Sequence, residues 1–181
     1  MRLVMLGGPG AGKSTQSHNL SQQLNLPLIS MGGILREAIA GATPLGVKAK
    51  PYMEKGELLP DPMMIEFVQQ RLVQEDVSQG WILEGYPRTA FQAEELDFLL
   101  EDLAQPLDWA LYLKISEEAM LERSLNRSLF DDHPEAVTTR IGRFREYTIH
   151  LLEYYAGKQK LLTVDGNPMV DQVTALILAQ L

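Results

Sequence analysis

The sequence predicts an α/β fold on a five-stranded parallel sheet. Three observations predict it. Short apolar runs alternate along the 181 residues with helical stretches of about ten or more. The first run, Leu3-Val4-Met5-Leu6, abuts a glycine-rich loop, and the loop abuts a helix-compatible segment. Apolar residues make up 45% of the chain, enough for a sizeable core in a single domain spanning residues 1–181. Alternation of this kind argues for parallel strands joined by right-handed helical crossovers.

The elements follow in order. Leu3–Leu6 reads as a buried strand, because a run with no polar alternation suits a strand covered on both faces. Residues 7 to 15, Gly-Gly-Pro-Gly-Ala-Gly-Lys-Ser-Thr, fit the phosphate-binding pattern G-x-x-x-x-G-K-[ST]. Glycines let consecutive N–H groups point into one cavity. Lys13 supplies a point charge for terminal phosphates, and Ser14 a hydroxyl for Mg²⁺. A helix beginning at Lys13 adds its positive end. Leu28-Ile29, Trp81-Ile82-Leu83, Trp109–Leu113 and Leu161–Val164 are strands two to five. The loop, Ser30 and Glu84 all follow strand ends, where ligands of such sheets bind.

Two segments depart from simple crossovers. About fifty residues separate strands two and three, with Pro44, Pro51, Gly56, Pro60 and Pro62 as breaks, so a small helical subdomain is expected there. Residues 128–134 interrupt two later helices. Pro134 suits the first turn of the second one, with Asp132 or His133 as its cap. In that helix Val137, Ile141, Phe144 and Leu151 form an apolar stripe, and Arg140, Arg143 and Tyr147 share another face.

The formal net charge of −8 argues against nucleic-acid binding. The chain has no cysteine, which fits a reducing compartment. No apolar run approaches a membrane span of about 20 residues, and the N-terminus does not read as a secretory signal. A cytoplasmic protein is expected. His18, His133 and His150 have no metal-ligand spacing and read as structural, as do Trp81, Trp109 and Met63-Met64.

At the level of whole motifs the chain resembles the adenylate kinases of the nucleoside monophosphate kinase family, nearly end to end. Beside the phosphate loop the anchors are Ile29-Ser30-x-Gly32-x-x-Leu35-Arg36, Gly56-Glu57-Leu58-Leu59-Pro60-Asp61 and Gly85-Tyr86-Pro87-Arg88-Thr89-x-x-Gln92. Arg123, Arg127, Asp131-Asp132, Arg140, Tyr154-Tyr155 and Val164-Asp165-Gly166 follow. The resemblance implies a three-layer P-loop fold with a five-stranded parallel sheet, an AMP-binding subdomain over residues 30–60 and a short lid over 124–133. It implies transfer of the terminal phosphoryl group of MgATP to AMP, giving two ADP, by a monomer. ATP would be held by Gly8, Gly10, Ala11, Gly12, Lys13, Ser14, Thr15, Arg123 and Arg127. AMP would meet Met31, Arg36, Glu57, Leu58, Leu59, Gly85, Arg88, Gln92 and Arg140. Lys13, Arg88, Arg127 and Arg140 would act on the phosphates under transfer, and Ser14 and Glu84 would serve Mg²⁺, Glu84 through water.

Bidentate arginines suit the clustered phosphates of two nucleotides. Arg143 and Arg145 read as surface residues, and Asp131 and Asp132 read equally as capping or hinge residues and as catalytic groups. The chain departs from the family pattern in places. Leu129 stands where an arginine is usual, in a shortened lid; Met31 replaces Thr, Gly33 replaces Asp, Glu84 replaces Asp and His150 replaces Pro. These departures keep two alternatives open: a kinase for CMP or UMP, and a weakly active nucleotide-binding regulator.

Overall fold

The computed structural model describes residues 1–127 and 129–181; Ser128, inside the expected lid, lies outside the described residues. Five strands, β1 (Arg2–Gly7), β2 (Leu28–Ser30), β3 (Trp81–Glu84), β4 (Trp109–Lys114) and β5 (Leu161–Asp165), form one sheet in the order β2-β3-β1-β4-β5. Every pairing is parallel. Each expected strand is present, extended by a residue or two at its ends.

The central strand shows why its run is apolar throughout. Val4 and Leu6 face one core with Leu83 and Ala110, while Leu3 and Met5 face the other with Ile82 and Leu111. Alternate side chains thus enter different layers, and neither face is left for water. Burying one such Leu or Val side chain contributes about 1.5–3 kcal/mol. The first core is closed by α4 (Asp61–Leu72), α5 (Ala90–Asp102) and the C-terminal half of α7 (Pro134–Gly157), through Val68, Leu96 and Tyr155. The second is closed by α1 (Lys13–Leu24), α6 (Glu117–Asn126), the N-terminal half of α7 and α8 (Val170–Leu178), through Leu20, Met120, Val137 and Ile177.

The stretch between β2 and β3 holds α2 (Met31–Ala40), α3 (Pro44–Lys55), α4 and a 3₁₀ turn at Glu75–Val77. Thr43 caps α3 by accepting from the Gly46 N–H, and Gly56 ends it with φ of 70°. At Gly46 a Cβ would lie 2.0 Å from the Ala38 carbonyl oxygen, so only glycine permits this approach of α3 to α2. One expectation is corrected, and one pair of alternatives is decided. Pro51 does not break a helix but lies inside α3, at an exposed position where water can satisfy the carbonyl one turn back. The cap of α7 is His133, whose Nδ1 accepts from the Ala136 N–H, and not Asp132, which is committed to arginines instead.

Candidate active site

A cavity of about 710 Å³ opens at the carboxyl ends of the strands. Its floor is the loop between β1 and α1. Gly12 precedes α1 with φ of 89° and offers no side-chain cap, and the first turn carries no acidic residue. The free N–H groups of that turn therefore stay available to an anion. Gly10, Ala11, Gly12, Lys13, Ser14 and Thr15 line the cavity. Gly8 is buried beneath it, and its carbonyl accepts from Lys13 Nζ at 2.7 Å, beside the Gly7 carbonyl at 2.8 Å. Burial lowers the Lys13 pKa to about 8; Glu84 opposes this, and Arg88, Arg127 and Arg140 add to it.

Glu84 ends β3 in register with Met5 of β1 and Ser30 of β2, so its carboxylate sits between two strand ends. It is buried, and its oxygens accept from the Ser14 hydroxyl at 2.6 Å and the Ser30 hydroxyl at 3.0 Å. An all-oxygen group of one carboxylate and two hydroxyls fits a hard cation that keeps most of its waters and phosphate ligands.

The arginines come from four places. Arg36 is on α2, Arg88 follows β3, Arg123 and Arg127 are at the end of α6, and Arg140 is on α7. Two buried carboxylates hold three of them. Arg127 Nε and Nη2 grip Asp132, both at 2.7 Å. Arg140 reaches Asp132 at 2.6 Å and Asp131 at 3.1 Å, and Arg36 stands 3.9 Å from Asp131. Burial alone would raise the Asp132 pKa, but the hydrogen bonds from Arg127 and Arg140 outweigh it and hold the carboxyl at about 2. Asp131 and Asp132 are thus buried counter-ions and not caps, with Asp131 at the cavity wall.

Arg88 and Arg123 make no ion pair among the described residues. Arg88 Nε donates to the Gly85 carbonyl at 2.9 Å, and its pKa is lowered by burial in the concave wall and then by Arg140, although the group faces the solvent filling the cleft. Arg123 donates to the carbonyls of Gly166 and Asn167 at 2.9 and 3.3 Å.

Two less polar regions flank this basic centre. One is formed by Met31, Leu35, Met53, Leu58, Leu59 and Met64, with Glu57 and Gly85 beside it. There the Gln92 amide is buried and engaged at both ends, accepting from the Arg88 N–H at 2.8 Å and donating to Asp61 at 2.7 Å. The other region is formed by Pro168, Met169, Val170 and Val173, next to Arg123. Sequence reasoning missed Gln16, Tyr147, Pro168, Met169 and Val170 as parts of this wall, and it placed Arg143 at the surface. Arg143 lines the cavity while its guanidinium pairs with Glu146 at 3.0 Å; its spacing from Arg140 was the available signal. Arg145 is exposed and pairs with Glu117. Leu129 offers no charge, and its N–H donates to Asp132 at 3.2 Å.

Seven of the chain's 16 basic residues meet in this one cavity, in a chain of net charge −8, around a phosphate loop. Such a fold and site define a P-loop nucleotide phosphotransferase. Comparison with known proteins narrows the class. The adenylate kinase family model matches residues 5–160. The chain is 83% identical to adenylate kinase 2 of Synechocystis sp. over 181 residues, covering 100% of both chains. It is 55% identical to adenylate kinase 2 of Nostoc sp., over 98% of this chain and 97% of that one. Its identity to the adenylate kinase of Cyanothece sp. is 44%, over 97% and 92% of the two chains. The chain belongs to the adenylate kinase family.

Proposed function

We propose a division of labour for the reversible transfer of the terminal phosphoryl group of ATP to AMP, which yields two ADP. One observation carries it: a single cavity with a basic centre between two less polar regions, each suited to one base. ATP occupies the phosphate-loop side. Gly10, Ala11, Gly12, Lys13, Ser14 and Thr15 surround its phosphates, Gly8 anchors Lys13 from beneath, and its base lies against Arg123 and the 166–170 turn. AMP occupies the Met31, Arg36, Glu57, Leu58, Leu59, Gly85, Arg88 and Gln92 side.

Phosphoryl transfer needs alignment and neutralised charge more than covalent help. Lys13, Arg88, Arg127 and Arg140 supply that charge. The phosphates compete with Asp131 and Asp132 for the guanidinium groups, so the clamp forms only when nucleotide phosphates are present. Ser14 and Glu84 would hold Mg²⁺, Glu84 through water, and the ion would supply charge neutralisation at the phosphate oxygens.

Residues 30–60 act as a flap over AMP and 124–133 as a short lid over ATP, closing to exclude water as a competing acceptor. A monomer is sufficient, since one chain supplies the whole cavity. A cysteine-free chain agrees with a cytoplasmic location, and among the described residues no helix is long and apolar enough to cross a membrane.

A coupled assay with ATP and AMP tests the whole reading. ADP is expected, with AMP preferred over CMP and UMP. No ADP from folded protein, or preference for a pyrimidine monophosphate, overturns it. Leu129→Arg is expected to raise kcat by about two- to tenfold. That is far below the roughly 10³-fold of a sole arginine finger, because Arg88, Arg127 and Arg140 already serve the phosphates. An unchanged kcat would mean that the existing guanidinium groups cover the charge completely.

A further inference from the structure

A buried polar strut joins the phosphate loop to the donor-base wall. Gln16 lies on α1, three residues after Lys13, and is 3% exposed. Both ends of its amide are used. Nε2 donates to the Val170 carbonyl at 2.9 Å, and Oε1 accepts from the Thr174 hydroxyl at 2.7 Å. A carbonyl oxygen can only accept, so the amide has one orientation that satisfies both partners. Thr174 is buried as well, and its hydroxyl oxygen also accepts from Asn19 Nδ2 at 3.2 Å. Val170 closes the turn whose Gly166, Pro168 and Met169 line the cavity, and whose Gly166 and Asn167 carbonyls hold Arg123.

We infer that Gln16 is a positioning residue for the donor nucleotide: it fixes the spacing between the phosphate loop and the wall that receives the base. The inference rests on the placement of the donor base against that turn. ATP must meet two walls that come from chain segments over 150 residues apart (Gln16 and Val170 are separated by 154). A wall displaced by about 1 Å forfeits either the phosphate contacts or the base contact. Helix packing alone leaves the relative height of α1 and α8 adjustable, whereas a two-ended buried amide sets it: the Thr174 hydroxyl also reaches the Val170 carbonyl at 3.0 Å, so a slip leaves the buried Gln16 amide as the group without partners.

The test compares ATP with inorganic tripolyphosphate, which has the phosphates and no base. In Gln16→Leu the dissociation constant of Mg-ATP is expected to rise about tenfold. That of Mg-tripolyphosphate stays within about twofold, and KM for AMP is unchanged. A mere packing role would lower the melting temperature without separating the two ligands, and that outcome overturns the inference. Equal weakening of both ligands overturns it too, since Gln16 would then act through the phosphate loop. If the unaltered protein bound tripolyphosphate as tightly as ATP, the placement of the base would itself be wrong, a result distinct from the other two. Should Gln16→Leu fail to fold, Thr174→Val and Thr174→Ser replace it. The serine variant keeps the hydroxyl and the ATP affinity, the valine variant shows the selective loss, and equal ATP affinity in the two defeats the inference.

Discussion

Lys13→Met is expected to lower kcat by about 10²- to 10³-fold while the stability at pH 7 holds or rises. The catalytic loss follows from removing a pre-aimed cation from a site where charge develops, the range seen when one such stabilising group is deleted. The stability gain follows from the lowered pKa. Burial takes the Lys13 amine from 10.5 to about 8, so below pH 8 the fold holds a charge that it disfavours. Stability rises with pH between about 8 and 10.5, where the unfolded chain keeps the proton that the native chain has released. At pH 7 the full penalty is present, and methionine removes it. Function and stability therefore pull apart at this position, as at other sites built for charge. Bound phosphates reverse the shift, so ATP binding near pH 8.5 is expected to take up protons. Calorimetry in buffers of different ionisation heat measures that uptake. A kcat within tenfold of the parent, or a clear drop in melting temperature, would defeat this account.

The local half of the design was legible in the sequence. Leu3–Leu6 could be placed as a central strand because its partners are simply both cores. The glycine loop states its own geometry, and the spacing of Arg140, Arg143 and Tyr147 put all three on one shared face, although not that this face lines the cavity. What could not be read are pairings across the chain. Gln16 looks like any polar helical residue until α8 closes over it. Asp132 sits beside a plausible cap position, and only the return of Arg127 and Arg140 to the same point turns it into a counter-ion. Pro51 carries a strong breaker signal, yet its exposed place on α3 lets water take up the hydrogen bond that it cannot make. Spacing fixes what shares a face; it does not fix which distant face arrives opposite.

Asp132→Asn tests the counter-ion argument most directly, with an expected loss of about 2–4 kcal/mol at pH 7. The upper value belongs to a fully buried pair broken from one side; Arg127, 37% exposed at its side chain, reduces it. Asparagine keeps one acceptor oxygen but no charge, leaving Asp131 alone among Arg36, Arg127 and Arg140. The pH dependence separates this from a packing defect. With its carboxyl held at about 2 against an ordinary 3.8, Asp132 contributes its full stability above about pH 4 and loses it as the pH falls to about 2. The variant lacks that contribution at every pH, so its urea-unfolding stability should fall less steeply across this window than the parent's. ATP then supplies a second check. In the parent the phosphates must displace Asp132 from two guanidinium groups, whereas in the variant Arg127 has lost its paired carboxylate and Arg140 keeps only Asp131. Saturating ATP should therefore raise the melting temperature of Asp132→Asn by more than that of the parent. Parallel acid limbs, together with equal ATP-induced shifts, would mean that Asp132 fills space at the lid hinge and does not hold the arginines in reserve for the phosphates.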